Sequence, residues 1–165
     1  MKQPSPARIS LHQFWPYQVT VLADQIARYT MQHVRAVADF NQSQWRVLAA
    51  VADRPGSTAA QVTEITPMDK TLVSRAVSSL IASGHITRTL DTGDRRRSAL
   101  ALTELGQRCY QAIATRLNAA LATQFGDDAE LDTLLRLVKS TVAKMAAGDE
   151  KAVAKPPPQA PDSAA

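Results

Sequence analysis

Residues Thr66 to Ser83 read TPMDKTLVSRAVSSLIAS, and the fold turns on how they are taken. Thr66 can cap a helix that opens at Pro67, where the missing N–H is not needed, with Asp69 in the first turn near the positive end of the helix dipole. Gly84 ends it. At about 100° per residue, Leu72, Val73, Ala76, Val77, Leu80 and Ile81 share one arc, expected to be buried, and Thr71, Ser74, Arg75, Ser78 and Ser79 share the other. A solvated helix face ordinarily mixes Glu with Lys. After Asp69 this one offers only hydroxyls and a cation, groups that suit phosphate oxygens and base edges. A small polar face that simply meets water has the same composition, so the flanking segments must decide.

Upstream, Thr58 and Gln61 have capping-box spacing ahead of a short helix whose buried pair is Val62 and Ile65. That helix, the tight Ile65-Thr66-Pro67 junction and the helix after it read as a helix-turn-helix. Before them, Ser43 can cap a helix that turns Trp45, Leu48, Ala49 and Ala52 inward and stops at Pro55 and Gly56. Downstream, HITRTLDTGDRRRSALALT changes the period to two. Ile86, Arg88 and Leu90 alternate with threonines, Ser98, Leu100 and Leu102 with alanines, and Asp91-Thr92-Gly93-Asp94 supplies turn chemistry between them. A hairpin appended to a helix-turn-helix is a wing. Arg95, Arg96 and Arg97 beside its tip also fit an ordinary solvated turn, but with the hydroxyl and arginine face upstream they favour a nucleic-acid partner.

The outer segments are helical as well. From Pro16, a stripe of Val19, Leu22, Ile26, Tyr29 and His33 makes His33 a packed or interface histidine rather than a ligand. Phe14, Trp15 and Tyr17 precede it in a chain with two Trp, three Tyr and three Phe. Thr103 opens a helix in which Leu105, Cys109, Ile113, Leu117, Leu121 and Phe125 recur at four-residue intervals up to Gly126. Asp127 or Asp128 caps a last helix, striped by Leu131, Leu134, Leu135, Val138, Val142 and Met145. A winged helix does not need these long helices to complete its own core, so the first and the last two are candidates for a dimer interface.

The expected class is therefore mainly α with a small β wing. Five segments follow: a flexible arm at 1–13, an N-terminal dimerisation helix region at 14–42, a winged helix-turn-helix at 43–103, C-terminal dimerisation helices at 104–147, and a disordered tail at 148–165. The tail has no large apolar residue beyond Val153, and Pro156-Pro157-Pro158 favours extended chain.

Bulk properties narrow the function. A chain of 165 residues with 45% hydrophobic content can bury one sizeable core. Its net charge of +4 leans weakly toward acidic partners. The single cysteine, Cys109, leaves no internal disulfide framework and fits a reducing cytoplasm. Within its apolar column it reads as a small buried hydrophobe, because a sensor thiol needs exposure and a nearby cation. His12, His33 and His85 lie far apart without a second thiol or a carboxylate cluster, so no metal is expected. No nucleophile has an adjacent base and no Gly-rich phosphate loop is present, which argues against an enzyme and leaves no cofactor to expect. Without an apolar run of signal or membrane-span length, the expectation is a cytoplasmic protein with no membrane partner.

Several strings resemble the MarR family of bacterial winged-helix repressors: Ser43-Gln44-Trp45-Arg46-Val47-Leu48, Val73-Ser74-Arg75, and Asp94-Arg95-Arg96 through Leu102-Thr103. The likeness spans about residues 15 to 147, and the wing string is its most specific part. Pro67 stands where a glycine is frequent, and His85 where an apolar residue is usual. The resemblance implies a homodimer with interleaved outer helices and with recognition helices in successive major grooves. Arg96 matches the family's wing arginine, which enters the minor groove steadied by the aspartate that Asp94 matches; a narrow minor groove concentrates negative potential. Phe14-Trp15-Pro16-Tyr17 and Met68-Asp69-Lys70, followed by Val73-Ser74-Arg75-Ala76-Val77, are similar to a branch that includes regulators of aromatic-acid catabolism. Some of these respond to aromatic acids or their coenzyme A thioesters.

The expectation is a homodimeric, sequence-specific repressor of double-stranded DNA, released by a small aromatic acid or its CoA thioester. Its candidate DNA contacts are Asp69, Lys70, Thr71, Ser74, Arg75 and Ser78 on the recognition helix and Asp94, Arg95, Arg96 and Arg97 on the wing. Phe14, Trp15, Tyr17, Trp45 and Arg46 are candidate effector lining, though the same aromatics can simply join the first two helices. Two other readings stay open: a winged-helix module that binds protein rather than DNA, and a regulator switched by oxidation of Cys109.

Overall fold

The computed structural model describes residues 9–90, 98–126 and 129–153. Among them, six helices and one two-stranded sheet follow in the order α1 (Trp15–Arg35), α2 (Gln42–Asp53), α3 (Ala59–Ile65), α4 (Lys70–Ala82), β1 (Ile86–Leu90), β2 (Ser98–Leu102), α5 (Glu104–Phe125) and α6 (Ala129–Val153). This is the mainly α architecture with a small β element that the periodicities call for. The chain forms two compact units, Met1–Ala120 and Leu121–Ala165.

In the first unit one apolar cluster gathers every element. Val34 of α1, Val47, Leu48 and Val51 of α2, Val62 of α3, Val73, Val77 and Leu80 of α4, Ile86, Leu100 and Ile113 are all fully buried. The strands pair antiparallel with Ile86 opposite Leu102, Arg88 opposite Leu100 and Leu90 opposite Ser98, the register that the alternation demands. The far edge of β2 is also occupied. Gly56 N donates to Leu100 O at 2.9 Å and Leu100 N to Ser57 O at 2.9 Å, so the α2–α3 connection satisfies the outer backbone groups of Leu100 and covers part of an edge that would otherwise stay unpaired.

Two helix starts differ from the sequence reading. α4 begins at Lys70, not Pro67, and its cap is Asp69, whose carboxylate accepts from Leu72 N at 2.8 Å. Thr66 instead closes α3, its hydroxyl donating to Val62 O at 2.7 Å. As the residue before a proline it is extended (φ −120°, ψ 147°), which keeps it out of the helical region. Met68 then folds inward and is buried, and the helix can start only after it. α2 is capped by Asn41, not Ser43: Gln44 N donates to Asn41 Oδ1 at 2.9 Å and Asn41 N to Gln44 Oε1 at 2.8 Å. Phe40 ahead of this cap is buried and Trp45 packs against the same cluster, the spacing of a hydrophobic staple.

Some expected inward residues face out. Val47, Ala50 and Val51 join Leu48 in the core of α2, whereas Ala49 and Ala52 are only half-buried; Ile65 and Leu72 are exposed. Ile65 and Leu72 lie at the margins of their apolar arcs, where burial is decided by the neighbouring element and not by the period, whereas α2 turns its Val47–Val51 side inward and Ala49 projects about 180° from the centre of that side.

α4 ends in a Schellman arrangement. His85 N donates to Leu80 O at 2.9 Å and Gly84 N to Ile81 O at 3.0 Å, with Gly84 at φ +73°. His85 fills the apolar place after such an end by packing its ring edge-on to Phe40, centroids 4.9 Å apart. Thr103 ties this corner to α5: its hydroxyl donates to Gly84 O at 2.6 Å and accepts from Gly106 N at 3.1 Å.

The column in α5 does not stay on one face. Steps of four residues advance about 40° each, so between Leu105 and Phe125 the row winds about 200° around the axis. Ile113 is fully buried and Cys109 and Leu117 pack against the core, while Leu105, Leu121 and Phe125 are exposed. In the second unit, α6 carries exposed Leu134, Leu135, Val138, Val142 and Met145. It runs to Val153, so the disordered tail expected from Gly148 is corrected for its first residues; helix propensity in Glu150-Lys151-Ala152-Val153 outweighs the single glycine. The expected cap at Asp127 or Asp128, and the tail from 154 onward, lie outside the described residues.

Candidate nucleic-acid interface

The outward face of α4 is built by subtraction. Val73, Ala76, Val77 and Leu80 are taken by the core, which leaves Lys70, Thr71, Leu72, Ser74, Arg75, Ser78 and Ser79 exposed. The helix KTLVSRAVSSLIA contains no carboxylate. The one just before it, Asp69, is engaged as the cap, so this candidate contact serves the start of the helix and sets the position of the next residues. Arg75 makes no hydrogen bond or ion pair among the described residues; the ion pairs found there are Arg28 with Asp24, Arg54 with Asp53, and Arg108 with Glu104. Lys70 is likewise free of ion pairs. Lys70, Thr71, Ser74, Arg75 and Ser78 therefore lie together on one surface as a cation and hydroxyl strip.

Ser79 differs from its neighbours. Gln44 Nε2 donates to Ser79 Oγ at 2.8 Å, which engages that hydroxyl with α2. A groove of about 290 Å³ opens beside this bond, between Asn41, Ser43 and Gln44 on one wall and Leu72, Arg75 and Ser79 on the other. Gln44 and Leu72 are the residues that the sequence reading missed. The first had a signal in the Asn41-x-x-Gln44 spacing, and the second had none, since it sits inside the apolar arc.

The wing candidates Asp94, Arg95, Arg96 and Arg97 lie outside the described residues. What is described is the frame: the strands close with Leu90 opposite Ser98, and residues 91–97 link them.

The effector candidates divide into two groups. Phe14, Trp15 and Tyr17 are exposed at the start of α1. Trp45 packs against the core and stacks on Tyr110, centroids 6.0 Å apart and planes 18° apart, with Arg46 half-buried beside it in sequence. The ring contacts among the described residues are Trp45 with Tyr110, Phe40 with His85, and Tyr29 with His33; none joins Phe14, Trp15 or Tyr17 to Trp45. A separate hollow of about 660 Å³ lies between α1 and the start of α2, lined by Asp24, Arg28, Met31, Gln32, Arg35 and Gln42. None of the five candidates lines it.

The other singled-out groups are accounted for locally. His33 packs edge-on to Tyr29, centroids 4.7 Å apart, with Nδ1 buried and without a hydrogen-bond partner. Burial pushes the Cys109 thiol up from its ordinary value, the opposite of what an activated thiolate needs. No group of three or more His, Cys, Asp or Glu is placed to hold a metal ion among the described residues, and no helix there is long and apolar enough to cross a membrane.

A helix-turn-helix followed by a two-stranded wing, with long helices before and after, is the fold of winged-helix transcriptional regulators. Residues 38–97 match the MarR family model, and solved MarR-family structures share this fold. Comparison with curated proteins gives no match. Among solved structures, the chain is similar to the PcaV transcriptional regulator from Streptomyces coelicolor in complex with its natural ligand, at 22% identity over 85% of this chain and 99% of that one, TM-score 0.67. It is also similar to CouR from Rhodococcus jostii RHA1 bound to p-coumaroyl-CoA, at 21% identity over 84% and 96%, TM-score 0.71. A MarR/EmrR family transcriptional regulator from Acinetobacter sp. ADP1 superposes with TM-score 0.73 at 22% identity, over 83% of this chain and 98% of that one.

Proposed function

We propose that this chain is a homodimeric, sequence-specific DNA-binding repressor that leaves its operator when a small aromatic acid or its coenzyme A thioester binds. The observation that carries the reading is the α4 surface: a guanidinium without a partner among the described residues and a lysine, set among hydroxyls, with the carboxylate just before the helix engaged as its cap. Thr71, Ser74, Arg75 and Ser78 meet base edges and Lys70 meets phosphate, while Arg95, Arg96 and Arg97 meet phosphates and the minor groove with Asp94 as the orienting carboxylate. Asp69 acts through the helix it starts.

The homodimer is supported by apolar faces left open in each unit: Trp15, Val19, Leu22 and Ile26 on α1, and Leu134, Leu135, Val138 and Val142 on α6. The effector class is supported by the relatives solved with ligands, one of them holding p-coumaroyl-CoA. A ligand releases DNA only if it favours the dimer spacing that cannot span two grooves, because equal affinity for both states shifts nothing.

The test is a footprint and gel shift with the full chain at several salt concentrations, repeated with phenolic acids and their CoA thioesters. A near-palindromic site with half-site centres about 10 bp apart and a steep salt dependence is expected. One asymmetric half-site, or a monomer bound at saturation, rules the arrangement out. Silence across the ligand panel rules out the effector class alone.

A further inference from the structure

Leu72 departs from the pattern of its helix. It is 43% exposed, although Val73, Ala76, Val77 and Leu80 around it are buried. On a helical projection it stands about 90° from the middle of the buried arc, on the flank shared with Ser79 and Arg75. Its position is held firmly, since Leu72 N is bonded to Asp69 Oδ1 at 2.8 Å and the Gln44–Ser79 bond fixes the flank against α2. A single exposed leucine is unremarkable on most surfaces. This one is the third residue of the helix, at the end that reaches base edges in a helix-turn-helix, and its neighbours on that face are polar.

The chemistry of the major groove then narrows what Leu72 can touch. A leucine side chain neither donates nor accepts, so against guanine, adenine or cytosine edges it strips water from polar groups without replacing the hydrogen bonds. The C5-methyl of thymine is the apolar group exposed in that groove. We propose, resting on the DNA-binding reading above, that Leu72 is a specificity-determining residue that seats on a thymine methyl. Residues three apart on a helix have Cβ atoms about 5–6 Å from one another, and successive bases rise about 3.4 Å, which puts this thymine one or two base pairs from the base that Arg75 reads.

The experiment uses the full chain and a duplex enriched from random sequence, in which deoxyuridine replaces each thymine in turn and so removes only the methyl. Wild type is expected to lose about fourfold in affinity at one thymine per half-site, and about fifteenfold when both half-sites are changed. Leu72→Ala, which removes no buried side chain, is expected to bind the thymine duplex more weakly by the same factor and to ignore deoxyuridine there; Arg75→Ala is expected to stay sensitive to it. If wild type ignores deoxyuridine at every thymine while still requiring Arg75, or if Leu72→Ala keeps the sensitivity, the leucine assignment is overturned and the DNA-binding reading stands. If no duplex is enriched, both fall.

Discussion

Gln44 and Ser79 lie 35 residues apart and are joined by one hydrogen bond, amide Nε2 to hydroxyl Oγ at 2.8 Å. The same Gln44 amide closes the capping box of α2 through its Oε1, so one side chain starts one helix and fixes the flank of another. Gln44→Ala removes both functions, Ser79→Ala only the second. In urea denaturation Gln44→Ala is expected to cost about 1–2 kcal/mol and Ser79→Ala less than about 1 kcal/mol, because the pair is solvent-exposed and water replaces part of the bond. Equal losses would place the whole effect outside the cap.

Arg75 and Lys70 should separate by how they fail. Arg75→Ala is expected to lose about 1–3 kcal/mol of binding and to relax preference at a single base pair, the signature of base readout. Lys70→Ala should weaken all duplexes alike and flatten the salt dependence by about one counterion per subunit. Arg96→Ala is expected to behave like Lys70→Ala; titrations at several salt concentrations with an unchanged slope would remove Arg96 from the interface.

Gly106 is packed so closely on His85 that a Cβ there would lie 1.9 Å from the His85 carbonyl oxygen. Backbone must move to admit it. Gly106→Ala is expected to destabilise by about 1–3 kcal/mol, as overpacking does, despite the better helix propensity of alanine. A melting temperature equal to or above wild type would show that the corner between α4 and α5 is looser than this contact implies.

Cys109 gives a pH prediction. Burial raises its thiol pKa in the folded state, so folding favours the neutral form. The sign follows from linkage: the contribution is fully present below the unfolded thiol value, about pH 8.5, and is lost as pH rises through the higher folded value. Stability measured from pH 7 to 10 should therefore fall more steeply for wild type than for Cys109→Ser. Peroxide should not change DNA binding of either protein at neutral pH. A peroxide response present in wild type and lost in Cys109→Ser would restore the redox reading.

How far local pattern reaches is visible in individual residues. The capping box of Thr58 and Gln61 formed with both of its bonds. The hairpin took the register implied by alternating Ile86, Leu100 and Leu102, and Gly84 ended α4. Each depends on residues within a few positions of one another, or on a period that a shift would turn inside out. The competition between Thr66 and Asp69, and between Ser43 and Asn41, was not legible in this way. Both members of each pair can cap, and the choice rested on Met68 and Phe40 reaching a core assembled from distant segments.

Local pattern along the chain is enough to establish which elements exist, which side of α4 is apolar, and that the rest of α4 carries hydroxyls and cations without acid. Packing between distant segments is what turns Leu72 outward beside Arg75, engages Ser79 with Gln44, and leaves Leu105, Leu121 and Phe125 of the α5 row exposed. The reason is geometric. Periodicity orients a residue about its own axis, but the margin of an apolar arc is buried or exposed according to where the next element crosses it, and that crossing is set by contacts between residues far apart in the chain.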